Sequence, residues 1–153
     1  MSAIEMHLAL APRVTLGGNL PVFSEDNVHF YGTNLAVLTS NFLRARAETQ
    51  VGKKVPSGLR IEAKHIPNTS IISITASGAD DSTSMPFLSA LIDQFLRFKR
   101  EQKEKYYHDA IAVLDSALSY APADCMSELK TYKNQLVIAS LWDVKSDFEK
   151  VDY

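Results

Sequence analysis

The stretch LRIEAKHIPNTSIISITASGADDSTSMPFLSALIDQF, residues 59–95, decides the fold. In its first part Leu59, Ile61 and Ala63 fall on one side and Arg60, Glu62 and Lys64 on the other, and in its second part Ile72, Ile74 and Ala76 make an apolar side. That two-residue period belongs to half-buried strands. Pro67-Asn68 between them suits the two central positions of a tight turn, because proline presets φ and asparagine tolerates unusual φ. The pair therefore reads as an antiparallel hairpin whose register is set by the turn and the buried faces. Asp80, Asp81, Ser82 and Ser84 then follow Gly78 as a helix-capping cluster, with carboxylates at the positive end of the helix dipole and Pro86 acceptable in the first turn. Leu88, Leu91, Ile92, Phe95 and Phe98 give an apolar stripe, and apolar spacing returns at Tyr106, Ala110, Val113, Leu114 and Ala117. The pattern from Ser84 to Tyr120 predicts one helix of roughly 35 residues, ~50 Å long.

Outward from this stretch, Ile4, Met6, Leu8 and Leu10 alternate with polar positions, which predicts a strand over Ala3–Ala11. Residues 12–27 hold Gly17, Gly18, Asn19 and Pro21 and read as a loop, with Ser24 or Asp26 as the cap of the next helix. Leu35, Leu38, Phe42 and Ala45 predict a single amphipathic helix over Val28–Thr49, with Arg44, Arg46 and Glu48 mostly off its apolar stripe. Gly52, Pro56 and Gly58 break it. After Ala121-Pro122-Ala123 a return helix is expected from about Asp124 to Ser146, with Met126, Leu129, Leu136, Ile138 and Leu141 as its apolar members. The tail DFEKVDY fits a short strand or a frayed end.

The bulk numbers narrow the classes of function. A chain of 153 residues with 46% hydrophobic and 22% charged residues has the composition of one folded domain. Its net charge of -2 supplies no field for phosphate backbones, so nucleic acid is not expected as a partner. No run approaches the ~20 apolar residues of a membrane span, and the first residues lack the basic and apolar regions of a signal peptide.

Catalytic chemistry has little to stand on. His7, His29, His65 and His108 fall on four different elements, Cys125 has no CxxC neighbour and no disulfide partner, and no phosphate-cradling glycine motif occurs. Neither a catalytic residue nor a cofactor or metal is expected. Asp80-Asp81 is better read as a helix cap than as an acid–base pair. A helix polar all round has left its sheet, however, and KREQKEK at Lys99–Lys105 is such a turn, supported by the pairs Arg100/Glu104 and Glu101/Lys105. With the aromatics beyond it, it makes Lys99, Arg100, Glu101, Lys103, Glu104, Lys105, Tyr106 and Tyr107 a candidate oligomer interface.

The order of elements and several stretches resemble the Wzz-type polysaccharide co-polymerases, or chain length determinant proteins. FYGTNLAVLTSNFLRARAETQVG, residues 30–52, is similar to a helix of that family. LRIEAKHIPNTSIISITASGADDS, residues 59–82, is similar to its hairpin, SAIEMHLALAP to the strand after its first membrane helix, and DFEKVDY to the strand leading to its second. Asn34 stands where the family has glutamine, and Ser82 where its Asp-Pro proline falls. The resemblance implies an extracytoplasmic domain on the periplasmic side of the inner membrane, anchored by flanking segments outside this chain. It further implies a homo-oligomeric ring that works with a polysaccharide polymerase and its glycan, and no catalytic residue.

The expected architecture is α+β: a small mixed or antiparallel sheet packed against helices, with a long helix continuing into a projecting helical hairpin. One domain spans 1–153, with sheet plus one helix in 1–83 and the long and return helices in 84–146. The expected function is a non-enzymatic scaffold regulating chain length or export of a surface polysaccharide. The alternative is a ligand-binding or adaptor domain using the exposed sheet face with Arg60, Glu62 and Lys64.

Overall fold

The computed structural model describes residues 3–11, 25 and 28–145. Among these the elements run β1 (Ile4–Ala9), α1 (Phe30–Leu38), α2 (Asn41–Val51), β2 (Arg60–His65), β3 (Ile71–Ser77), α3 (Asp81–Tyr120) and α4 (Ala123–Lys145). The class is α+β, as expected from the alternation of strand and helix periods. The caps expected at Ser24 or Asp26 and the tail DFEKVDY lie outside the described residues.

The expected hairpin forms with Arg60 opposite Ser77 and His65 opposite Ile72. Thr69 N–H donates to Ile66 O at 3.2 Å across the turn, and Asn68 carries the positive φ of 61° that asparagine tolerates. The sheet order is β1-β3-β2, so β3 is central and pairs antiparallel with β1 from Ile4 opposite Ala76 to Ala9 opposite Ile71. A central strand is covered on both sides, and Ile72, Ser73, Ile74 and Ala76 are all buried. At the open end of the hairpin Gly78 sits at φ 93°, where a Cβ would stand 2.0 Å from the Gly58 carbonyl oxygen. Only a residue without a side chain lets the two backbones approach so closely.

The helix expected over Val28–Thr49 is two helices. Ser40 adopts an extended conformation (φ -76°, ψ 150°) and its hydroxyl accepts from Leu43 N–H at 3.2 Å, so it caps α2 and ends the run of α1. The Thr39 and Ser40 hydroxyls also donate back to Leu35 O and Val37 O, at 3.0 and 2.7 Å. These short polar side chains offer the backbone an alternative to continuing the helix. The break resets the helical phase: Leu43 and Ala47 are buried in α2, while the expected members Phe42 and Ala45 face outward, Phe42 at 55% exposure. In α1 the buried positions are Phe30, Asn34 and Leu38, with Asn34 Nδ2 donating to Phe30 O at 2.8 Å.

α3 begins at Asp81, three residues before the expected start, and runs unbroken for 40 residues. Asp80 precedes it and receives Thr83 N–H and Ser84 N–H on its carbonyl, at 3.1 and 2.9 Å, with the Ser82 hydroxyl on its carboxylate at 2.9 Å. Hydrogen bonds from Thr83 and then Ser82 hold the Asp80 carboxyl below its usual value, which agrees with its reading as a cap. The earlier start places Pro86 inside the helix rather than in its first turn.

The described residues fall into two compact units, one of 3–11 and 28–97, the other of 25 and 98–145. The core of the first joins Leu8, Leu38, Leu43, Ile72, Ile74, Phe87, Leu88, Leu91 and Phe95, each at most 1% exposed. In the second, α3 and α4 are tied antiparallel by an ion pair between Lys133 and Asp115 and by a shared groove that brings Tyr107 and His108 to Ser140 and Leu141. Leu136 is buried there, whereas Ile138 and Leu141, expected in the apolar face of α4, are 56% and 66% exposed. Among the described residues no helix is long and apolar enough to cross a membrane.

Candidate functional site

The residues singled out at Lys99–Tyr107 do not form a uniformly solvated turn. Lys103 is 3% exposed and Tyr107 2%, so one side of this turn is buried within the chain and those two residues are not available to another copy. Lys99 is mostly covered as well, its ammonium paired with the Glu25 carboxylate. Lysine can be placed so because its long apolar stem covers surface while the head finds a polar partner. Arg100, Glu101, Glu104 and Lys105 remain exposed, with Arg100 Nε donating to Glu104 at 3.0 Å as the spacing predicts. Tyr106 is half-buried, and its ring meets that of Tyr107 edge to face at 5.3 Å.

Beyond this turn α3 carries two stripes. Tyr107, Ile111, Leu114 and Leu118 are buried or half-buried. Beside them Tyr106, Ala110, Val113, Ala117 and Tyr120 recur at alternating steps of four and three, the spacing of a coiled-coil seam. This second stripe is progressively uncovered toward the end of the helix, where Ala117 is exposed, Val113 is 67% exposed and Tyr120 87%. Sequence reading took Tyr106, Ala110, Val113 and Ala117 together with Leu114 as one stripe and did not name Ile111 or Leu118, because two adjacent apolar stripes on one helix have overlapping periods. A groove of about 550 Å³ lies between the helices on the other flank of the first stripe, lined by Arg100, Glu104, Tyr107, His108, Ile111, Ser140 and Leu141.

The polar face of the sheet is the other region the sequence marked. Arg60, Glu62 and Lys64 are exposed on β2, and across the sheet Lys64, Ser73 and His7 share one row while Glu62, Thr75 and Glu5 share the next. Ser73 is 2% exposed, and its hydroxyl donates to the Glu5 carboxylate, which also contacts His7 Nε2 at 3.1 Å. The Ser73 bond first and His7 second hold the Glu5 carboxyl below its usual value. His65 lies on the opposite face, stacked on Tyr31 at 3.6 Å between ring centroids, and His29 precedes α1. Cys125 is exposed in the first turn of α4. No group of three metal-binding side chains occurs among the described residues.

Sequence reading missed the arginines of α2. Arg44 donates to Leu59 O and Pro56 O, at 3.0 and 3.3 Å, tying the segment before β2 to the helix, and its Cζ lies 5.6 Å from the Phe87 ring centroid. Arg46 Nε donates to Gln94 Oε1 at 3.0 Å, linking α2 to α3. The signal was present in their charge, but the single-helix phase put both toward solvent. Comparisons of the chain with protein-family models, with curated proteins and with solved structures found no match.

Proposed function

We propose that the protein is a non-enzymatic scaffold domain that associates with copies of itself through the distal half of α3. The observation that carries this reading is the stripe Tyr106, Ala110, Val113, Ala117, Tyr120, whose steps of four and three leave Val113 and Tyr120 largely exposed. An apolar seam at that spacing is matched by the same seam on another helix, with knobs entering holes on both sides. Repetition of one such contact around an axis gives a closed ring, and an isologous contact gives a dimer.

The resemblance to the chain length determinant family gives this assembly its setting: the periplasmic side of the inner membrane, anchored by flanking segments, where it regulates the length or export of a surface polysaccharide with a polymerase as partner. Removing the gene and resolving the cell's surface polysaccharide by gel tests that setting. A shifted or lost modal chain length is expected, and an unchanged distribution contradicts it. The alternative, a ligand-binding face formed by Arg60, Glu62 and Lys64, is favoured by their common exposure on one side of β2. A ligand screened by thermal shift and lost on Lys64→Ala would support it.

A further inference from the structure

The exposed stripe of α3 sorts its residues by size. Ala110 and Ala117 each stand four positions after a larger member and three before the next, so in a heptad the alanines hold one seam position, a, while Tyr106, Val113 and Tyr120 hold the other, d. One row is small throughout and the other large. Toward the end of the helix α4 covers neither row: Ala117 is exposed, and Val113 and Tyr120 are 67% and 87% exposed.

This sorting carries an orientation. Two helices running the same way place a against a and d against d, so layers of facing alanines would alternate with layers of facing tyrosines or valines. The bulky layers would then set the distance between the helices and leave voids at the alanines, against the close packing that apolar contacts need. Helices running in opposite directions place a against d instead. Each alanine then receives a valine or a tyrosine, and one helix spacing fills every layer. Both registers that keep a on d have this property: Ala110 on Val113 with Ala117 on Tyr106, or Ala117 on Val113 with Ala110 on Tyr120. Resting on the reading of this stripe as a self-association seam, we propose that α3 pairs antiparallel with α3 of a second copy, Ala110 and Ala117 forming the sockets for its valine and tyrosines. Such a contact is isologous, with its two-fold axis crossing near Val113, and it closes on two copies.

Disulfide cross-linking of full chains in a Cys125→Ser background reads the orientation, since Cys125 is the only cysteine. Tyr120→Cys alone is oxidised beside Val113→Cys, as are two equimolar mixtures, Tyr120→Cys with Ala110→Cys and Tyr106→Cys with Ala117→Cys. One member of each mixture carries a tag that separates mixed from like pairs on a gel, and circular dichroism verifies that each variant keeps its helices. In the antiparallel pair Val113 lies within about 6 Å of its own copy along the axis, so Val113→Cys reports the seam in either orientation, whereas the two Tyr120 residues stand at least about 15 Å apart. That separation is beyond the reach of a disulfide. Val113→Cys dimers are expected, with mixed pairs several-fold over like pairs in at least one mixture and few dimers of Tyr120→Cys alone. Tyr120→Cys dimers as abundant as those of Val113→Cys, or no excess of mixed pairs in either mixture, would overturn the antiparallel pairing and leave self-association standing. No cross-link at Val113→Cys or in any mixture would overturn self-association itself, and the orientation with it.

Discussion

One helix, α3, belongs to two regions that are held together differently. Between Phe87 and Phe95 it buries Phe87, Leu88, Ala90, Leu91, Ile92, Gln94 and Phe95, whereas from Phe98 to Tyr120 it buries only Lys103 and Tyr107. The first region has the density of contacts that makes a cooperative core. The second is a pair of helices whose mutual face is mostly half-buried and whose flank shows Val113 and Tyr120 to solvent. Helix propensity can carry such a region, but a small, partly buried seam leaves it dependent on whatever covers the remaining apolar surface. The difference teaches that continuity of a helix says nothing about the uniformity of its packing.

Substitutions separate the two regions by size of effect. Phe95→Ala, at a side chain 0% exposed in the first core, should cost about 3–5 kcal/mol by lost burial and a residual cavity. Val113→Ala, with 67% of the residue exposed, should stay within about 0.5 kcal/mol in the monomer. Chemical denaturation of the two variants measures both, and equal losses would break the comparison. Gly78→Ala comes next. Its Cβ would meet the Gly58 carbonyl at 2.0 Å with φ at 93°, so strain of about 1–3 kcal/mol is expected even before the backbone shifts. Ser40→Ala removes the α2 cap that sets the phase of Leu43 and Ala47 and should cost about 1 kcal/mol.

How much of this was legible in the sequence varies by element. The hairpin was legible because a period of two and the Pro67-Asn68 turn agree, and the length of α3 because no breaker follows Pro86. The break at Ser40 was not, since Thr39 and Ser40 are tolerated in helices and it is the extended Ser40 backbone, with its hydroxyl accepting from Leu43 N–H, that shows where one ends. That single miss rotated the expected face of α2 and hid both arginines. The burial of Lys103 was hidden for a different reason, because a run of charges reads as solvated until a lysine stem is seen to pack.

The smallest effects concern the polar sheet face and the start of α3. Glu5 has a folded pKa below its unfolded value, so its contribution to stability is fully present above the unfolded value. That contribution is lost as the pH falls through the depressed folded value, below the ordinary glutamate range near about 4.3. Ser73→Ala should move the Glu5 titration, followed by NMR, back upward; an unmoved midpoint would show that the serine is not the cause. Ser84 Oγ is buried and has no hydrogen-bond partner among the described residues. Ser84→Ala should accordingly leave stability unchanged or raise it by up to about 1 kcal/mol.

Self-association through the second stripe of α3 is the central claim, and disulfide cross-linking reads it directly. Cys125 is the only cysteine, so a Cys125→Ser background carrying Val113→Cys reports the seam, and one carrying Ala112→Cys, exposed beside it, serves as the control. Under mild oxidation at rising protein concentration the Val113→Cys chain should form covalent dimers and the Ala112→Cys chain few. Equal cross-linking at the two positions, or none at Val113→Cys, would contradict the account.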